Sequence, residues 1–286
     1  MVQDSRRGTG GSTSGKTGKS SKGGNTGGAR QPAKNGARQS VAAVRAAKPG
    51  SNRTQVIIGI CAVVVMAVII VVGLVMNKKN TAPTVTDYGS STNSVTTLTD
   101  NAVVASAAGA ATTTPVTIDL FQDAMCPGCQ AFEQQFGQQV LQSIDEGKLV
   151  VRYHMLTFLD QASASGNYST RASAALLTVA QDTQAKKGAF LNYLVSLYAD
   201  GTKPEENGST DLSNQQLADL AGKAGASATA QADIKAGKNL ALAAQVNQAG
   251  NKMLAAATGQ VQTPTVLHDG KPLNLDRDWL TKLLAG

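Results

Sequence analysis

Val56 to Met76 is an unbroken run of apolar residues and glycine with no charge in it. At about 1.5 Å per residue such a run spans about 30 Å, the thickness of a bilayer's hydrocarbon core. A transmembrane helix is therefore expected over residues 55–77, and it divides the chain into parts that must be read separately. A cleaved secretory signal would have a shorter apolar core and small residues at a cleavage point; this run follows a long tail and exits into Asn77-Lys78-Lys79, which favours a retained signal-anchor. Arg38, Arg45, Lys48 and Arg53 flank its N-terminal side against Lys78 and Lys79 on the other. That bias places the N-terminus in the cytoplasm and everything after the helix outside it. Cys61 falls within the helix, where a thiol behaves as a small hydrophobe.

The formal net charge of +7 is distributed unevenly. Residues 1–55 hold 11 Lys and Arg against the single acid Asp4, whereas residues 80–286 hold 13 against 18 Asp and Glu. The basicity belongs to the tail and the remainder is acidic, so no folded basic surface for nucleic acid is expected. Residues 1–54 are dominated by Gly, Ser, Thr, Lys and Arg and lack the apolar residues that offset the entropy of ordering. This tail is expected to be disordered and to face anionic membrane lipid. Gly10-Gly11-Ser12-Thr13-Ser14-Gly15-Lys16-Thr17 matches the phosphate-binding loop pattern, but that loop needs a strand leading in and a helix leading out. In so biased a composition the match is read as chance.

Residues 78–114, rich in Thr, Ser, Ala and Asn, are expected to be a polar spacer. A globular α/β pattern is expected over 115–286. Val116-Thr117-Ile118-Asp119-Leu120-Phe121 reads as a strand, Pro127 to Asp145 as a helix, and Lys148 to Leu156 as a second strand. Helical spacing follows over Ala172 to Ala180, Ala189 to Tyr198, Asn214 to Ala221 and Ala228 to Leu254. Thr265 to His268 reads as a strand, Asp269-Gly270 as a hairpin turn, and Asp276 to Leu284 as a closing helix with Asp276 as N-cap. This order implies a central sheet interrupted by a helical insertion over about 160–257.

One motif carries chemistry: Cys126-Pro127-Gly128-Cys129, where a strand ends and a helix begins. A helix N-terminus offers partial positive charge and free amides that favour a thiolate, so Cys126 is expected to be the attacking residue. One helical turn brings Cys129 within bonding range as the resolving thiol. A metal site would want four ligands, and only His154 and His268 remain outside the membrane; no metal and no cofactor beyond the cysteine pair are expected. Both histidines read as packing or surface residues, and Phe132, Phe136 and Val140 as one core-facing stripe. A purely structural disulfide is the competing reading, although a two-residue loop constrains little of the unfolded chain.

The strand, the short loop with Asp123, the Cys126-Pro127-Gly128-Cys129 motif, its helix, the inserted helical block and Thr263-Pro264-Thr265 together resemble the DsbA-like branch of the thioredoxin superfamily, over Pro115 to Gly286. The resemblance implies a thioredoxin-like fold and protein thiol-disulfide oxidoreductase activity. It implies that Thr263 and a cis Pro264 face the cysteines and present backbone to substrate. It also points to Asp119 as a buried acid assisting the second thiol, with Asp123 either solvated or tuning Cys126. Pro127 and Gly128 would shape the motif. Gly128 departs from the histidine that strongly oxidising members carry there. The expected function is a disulfide donor to secreted or envelope proteins bearing thiols, reoxidised by a membrane redox partner. A reductase or isomerase, and a non-catalytic tethered chaperone, remain the alternatives.

Overall fold

The computed structural model describes residues 89–109 and 114–286. The basic tail, the apolar run Val56–Met76 and the first part of the expected spacer lie outside them. Among the described residues no helix is long and apolar enough to cross a membrane.

A six-stranded mixed sheet runs in the order β1-β2-β4-β3-β5-β6. Its strands are β1 (Ser94–Thr99), β2 (Ala102–Ala107), β3 (Val116–Asp123), β4 (Leu149–Leu156), β5 (Thr265–His268) and β6 (Lys271–Pro272). β3 and β4 are parallel, with Val116 opposite Leu149 and Asp123 opposite Leu156. A parallel pair needs a crossover, supplied here by α1 (Pro127–Phe132), a π-helical turn (Glu133–Gly137) and α2 (Gln138–Asp145). Between β4 and β5 come α3 (Tyr168–Ala180), α4 (Ala189–Leu197), α5 (Asn214–Ala224), α6 (Ala228–Lys235) and α7 (Leu240–Thr258); α8 (Trp279–Ala285) closes the chain.

Three expectations are corrected. The stretch read as spacer contains the β1–β2 hairpin, which adds two antiparallel strands beside β4. Its turn is Asp100-Asn101, both at positive φ, the backbone that a two-residue hairpin requires. Ala102, Val103 and Ala105 are buried, and Asp145 at the end of α2 accepts from Ser91 Oγ and the Thr92 amide, tying the hairpin's entrance to the crossover helix. The helix expected over Ala228 to Leu254 is two helices, because Gly237 and Asn239 take left-handed backbone that no helix interior accommodates. The closing helix starts at Trp279; Asp276 instead accepts from the Asp278 amide and from Lys282.

Alternation along β3 and β4 sets the two faces of the sheet. Ile118, Leu120, Val151, Tyr153 and Met155 join Phe132, Phe136, Val140 and Leu141 of the crossover helices in the main core. Phe132, Phe136 and Trp279 form an aromatic cluster with centroids 5.4 to 6.2 Å apart. On the opposite face Phe121, Leu156, Leu254 and Leu267 form a second, smaller cluster under α7. There the backbone of α7 comes close: a Cβ at Gly250 would lie 2.7 Å from Leu156 Cδ2.

Candidate active site

β3 ends at Asp123 and the chain turns through Ala124 and Met125 into Cys126, which is extended (φ −68°, ψ 122°) and stands as the N-cap of α1 with Pro127 in the first turn. Proline suits that place because its missing amide has no helical acceptor there. Both Cys126 and Cys129 are free thiols and buried. The hydrogen bond from the Cys129 thiol, joined by the Cys129 backbone amide, holds the Cys126 thiol below its usual range. Burial and that same bond push Cys129 well above it. Shifts of opposite sign suit such a pair to disulfide exchange, in which one sulfur acts as an anion and the other carries a proton.

The Thr263–Pro264 bond is cis, and the Thr263 carbonyl accepts from Cys126 Sγ at 3.4 Å. Gly128 lets this loop approach: a Cβ there would stand 3.0 Å from Pro264 Cδ and 3.7 Å from the Thr263 carbonyl oxygen. A groove of about 670 Å³ extends from Pro264 along Gln262, Val266, Leu273 and Leu275. Beyond Thr263, Thr265 Oγ1 donates to the Gln262 carbonyl, closing the loop's base.

The two aspartates of β3 go to different places. Asp119 faces away from the cysteines, into the cluster under α7, where it accepts from Arg152 Nε (2.8 Å) and pairs with His154 Nε2 (2.8 Å). Burial raises its carboxyl, but the hydrogen bonds from His154 and Arg152 outweigh that and leave it below the usual value. The role suggested for Asp119 beside the second thiol is therefore corrected: it lies four residues before the end of β3, where Arg152 and His154 hold its carboxylate. His154 also stacks on Phe121, with centroids 4.4 Å apart. His268 Nδ1 bonds the Thr117 carbonyl region of β3 at 2.9 Å. Neither histidine adjoins the cysteines.

Asp123 is fully buried beside Cys126, not solvated. It accepts from the Met125 amide, the Leu159 amide and Ser169 Oγ, and burial pushes its carboxyl up to about 7. Three further groups escaped sequence reasoning. Glu133, one helical turn past Cys129, is buried against Gln122 Nε2 (2.6 Å) with its carboxyl pushed up to about 7 by burial. Its signal was its spacing, i+4 from Cys129, with Gly137 another four residues on leaving room for its carboxylate. Lys203 is buried with its ammonium on the Pro204 carbonyl (2.8 Å) and the Met125 carbonyl (3.5 Å). Tyr198 Oη donates to the Asp123 carbonyl at 3.0 Å. The last two arrive from the helical insertion, and nothing local marks them. Among the described residues no group of three or more His, Cys, Asp and Glu side chains is arranged to hold a metal ion.

The family model described as thioredoxin matches residues 106–284. The MdbA protein of Corynebacterium diphtheriae, a thiol-disulfide oxidoreductase, superposes with a TM-score of 0.59 at 28% identity, covering 71% of this chain and 100% of that one. Oxidised DsbA of Mycobacterium tuberculosis gives 0.51 at 28% identity, covering 67% and 91%. The serine/threonine-protein kinase PknE of Mycobacterium tuberculosis is 35% identical over 174 residues, which are 60% of this chain and 30% of PknE. The match thus spans under a third of that curated relative.

Proposed function

The chain belongs to the thioredoxin family and is a protein thiol-disulfide oxidoreductase, and from that premise we propose that it donates disulfides to secreted or envelope proteins through Cys126 and Cys129. The observation that carries this reading is the opposed shift of the two thiols. A lowered Cys126 stabilises the reduced state relative to the disulfide, which is what makes a dithiol pair an oxidant. In the reaction a substrate thiolate attacks Cys126 of the disulfide, Cys129 leaves and takes a proton, and the substrate's second thiolate releases Cys126 as thiolate. The Thr263 carbonyl beside Cys126 and the groove beyond Pro264 offer an extended substrate its backbone and side-chain contacts. Thr263 and Pro264 are the substrate-binding residues of this reading, with Pro127 and Gly128 shaping the approach.

The apolar run Val56–Met76 supports a single-pass anchor, with the catalytic domain outside the cytoplasm and a membrane redox partner restoring the disulfide. MdbA and DsbA support the class of chemistry by their likeness to this chain.

The test is the reduction potential of the purified protein, equilibrated in glutathione buffers with free thiols counted and Cys126→Ser as control. A value near about −120 mV is expected of a disulfide donor; one near about −270 mV would sink that direction in favour of a reductase. Cys126→Ser should lose all exchange.

A further inference from the structure

A cavity of about 860 Å³ lies between α1 and the loop that joins α4 to α5, lined among others by Gln130, Asp200, Lys203, Glu205, Leu212 and Gln216. Its volume is in the range that ligand sites occupy. It shares no lining residue with the groove beyond Pro264. Both nevertheless reach the turn that presents Cys126. Lys203 Nζ donates to the Met125 carbonyl at 3.5 Å, one residue before Cys126, and the Thr263 carbonyl accepts from Cys126 Sγ at 3.4 Å.

The charge of this cavity is not balanced. Two acids beside it are matched by cations: Asp211 pairs with Arg171 at 2.7 Å, and the half-buried carboxyl of Glu206 faces Lys203. Lys203 is itself buried, with its ammonium turned inward onto the Pro204 and Met125 carbonyls, so it brings no positive charge to the mouth. Asp200 and Glu205 are exposed there, and neither makes an ion pair among the described residues. Asp200 is also held in place. Its Oδ1 accepts from Gln134 Nε2 at 2.8 Å and from Gln130 Nε2 at 3.4 Å, and Gln130 Nε2 is fixed in turn on the Tyr198 carbonyl at 3.0 Å. These amides orient the carboxylate without neutralising it. A cation that enters meets an anion already ordered, which removes part of the entropy cost of binding.

Resting on the oxidoreductase reading above, we propose that this cavity is a second substrate subsite, which takes a lysine or arginine side chain lying close in sequence to the substrate cysteine that reacts with Cys126. Asp200 is its principal anion and Glu205 its second. The groove beyond Pro264 offers apolar contact through Val266, Leu273 and Leu275. The subsite adds a requirement of charge, and it selects among extended segments by where their basic residue falls relative to the cysteine. An acidic side chain in the same register is repelled.

The experiment times the reduction of the oxidised wild-type protein by dithiol peptides, with acid quenching and mass spectrometry to count the reduced form. The peptides differ at one residue, which is glutamine, lysine or glutamate and is moved stepwise through the positions flanking the reactive cysteine. Lysine should exceed glutamine by about fivefold in one register, the scale of an ion pair at a partly solvated site, and glutamate should fall below glutamine there. The advantage should shrink as sodium chloride is added. Asp200→Asn should erase it, Asp200→Lys should turn it in favour of glutamate, and Glu205→Gln should reduce it; the last decides the matter should the Asp200 variants not fold. Asp269→Asn removes the same charge from the exposed β5–β6 turn and should leave the advantage intact. Each value is a ratio between peptides within one protein, so a change in overall rate does not enter it. A lysine advantage that is absent, that is equal in every register, or that Asp269→Asn removes as fully as Asp200→Asn would overturn the subsite alone. Failure of the wild type to exchange with dithiothreitol would overturn the oxidoreductase reading together with it.

Discussion

Asp119 and Asp123 lie four residues apart on β3, and the sheet treats them in opposite ways. Asp119 sits under α7 with a guanidinium and an imidazole, and it is held below the usual carboxylate range. Asp123 sits beside Cys126 with amides and a hydroxyl alone, and it is pushed up to about 7. Both are buried, Asp123 the more deeply, so its desolvation is the greater as well. The separation comes from cations: Arg152 and His154 neutralise Asp119, whereas the end of β3 near Cys126 has two buried acids, Asp123 and Glu133, bonded to neutral donors. The first site contributes to stability, and the second tolerates a cost to stability beside Cys126.

That contrast can be broken by experiment. The largest effect is expected at Glu133. A carboxyl whose folded value is raised contributes stability that is complete below its unfolded value of 4.5 and is lost as pH rises through about 7. Glu133→Gln stays neutral throughout, so its stability should gain on the wild type by about 3 kcal/mol between about pH 5 and 8, read from urea unfolding of the reduced proteins. A parallel fall in both proteins would place the charge elsewhere. Asp119 has the opposite sign: its contribution is present above the unfolded value of 3.8 and disappears as pH falls through its lower folded value. Asp119→Ala should therefore destabilise by about 2 kcal/mol at neutral pH, less than a wholly buried pair because Arg152 is half exposed. The Cys126 titration should not move; if it does, the two sites communicate and the contrast fails. The smallest effect is at Gly128→Ala, where crowding against Pro264 should cost about 1 kcal/mol in the same unfolding assay and slow alkylation of Cys126 by displacing the loop.

Much of this architecture is legible from particular residues. Alternation in Val116 to Phe121 and Leu149 to Leu156 locates the parallel pair, and Asp269-Gly270 marks the β5–β6 turn, both residues at positive φ. The β1–β2 hairpin was not legible because Ser, Thr and Ala dominate it and resemble a solvated spacer. Its strands are held by pairing to β4 and by Asp145, contacts that composition does not announce. The Asp100-Asn101 turn was its one local signal. The break within Ala228–Leu254 was missed because alanine-rich spacing continues through Gly237 and Asn239, and the two left-handed residues are what end the helix.

Sequence alone determined the setting of Cys126 and Cys129, because a strand-to-helix junction and a one-turn spacing are local properties of Cys126-Pro127-Gly128-Cys129. It also determined which stretches could bury an apolar face. Tertiary structure alone decided which acids are buried near that pair and what each is bonded to. Whether a carboxyl is paired or isolated depends on what residues distant in the chain bring to it: Arg152 and His154 to Asp119, Leu159 and Ser169 to Asp123, Gln122 to Glu133. Electrostatic cost is set by those neighbours and by exclusion of water, and both exist only once the sheet and its helices have assembled.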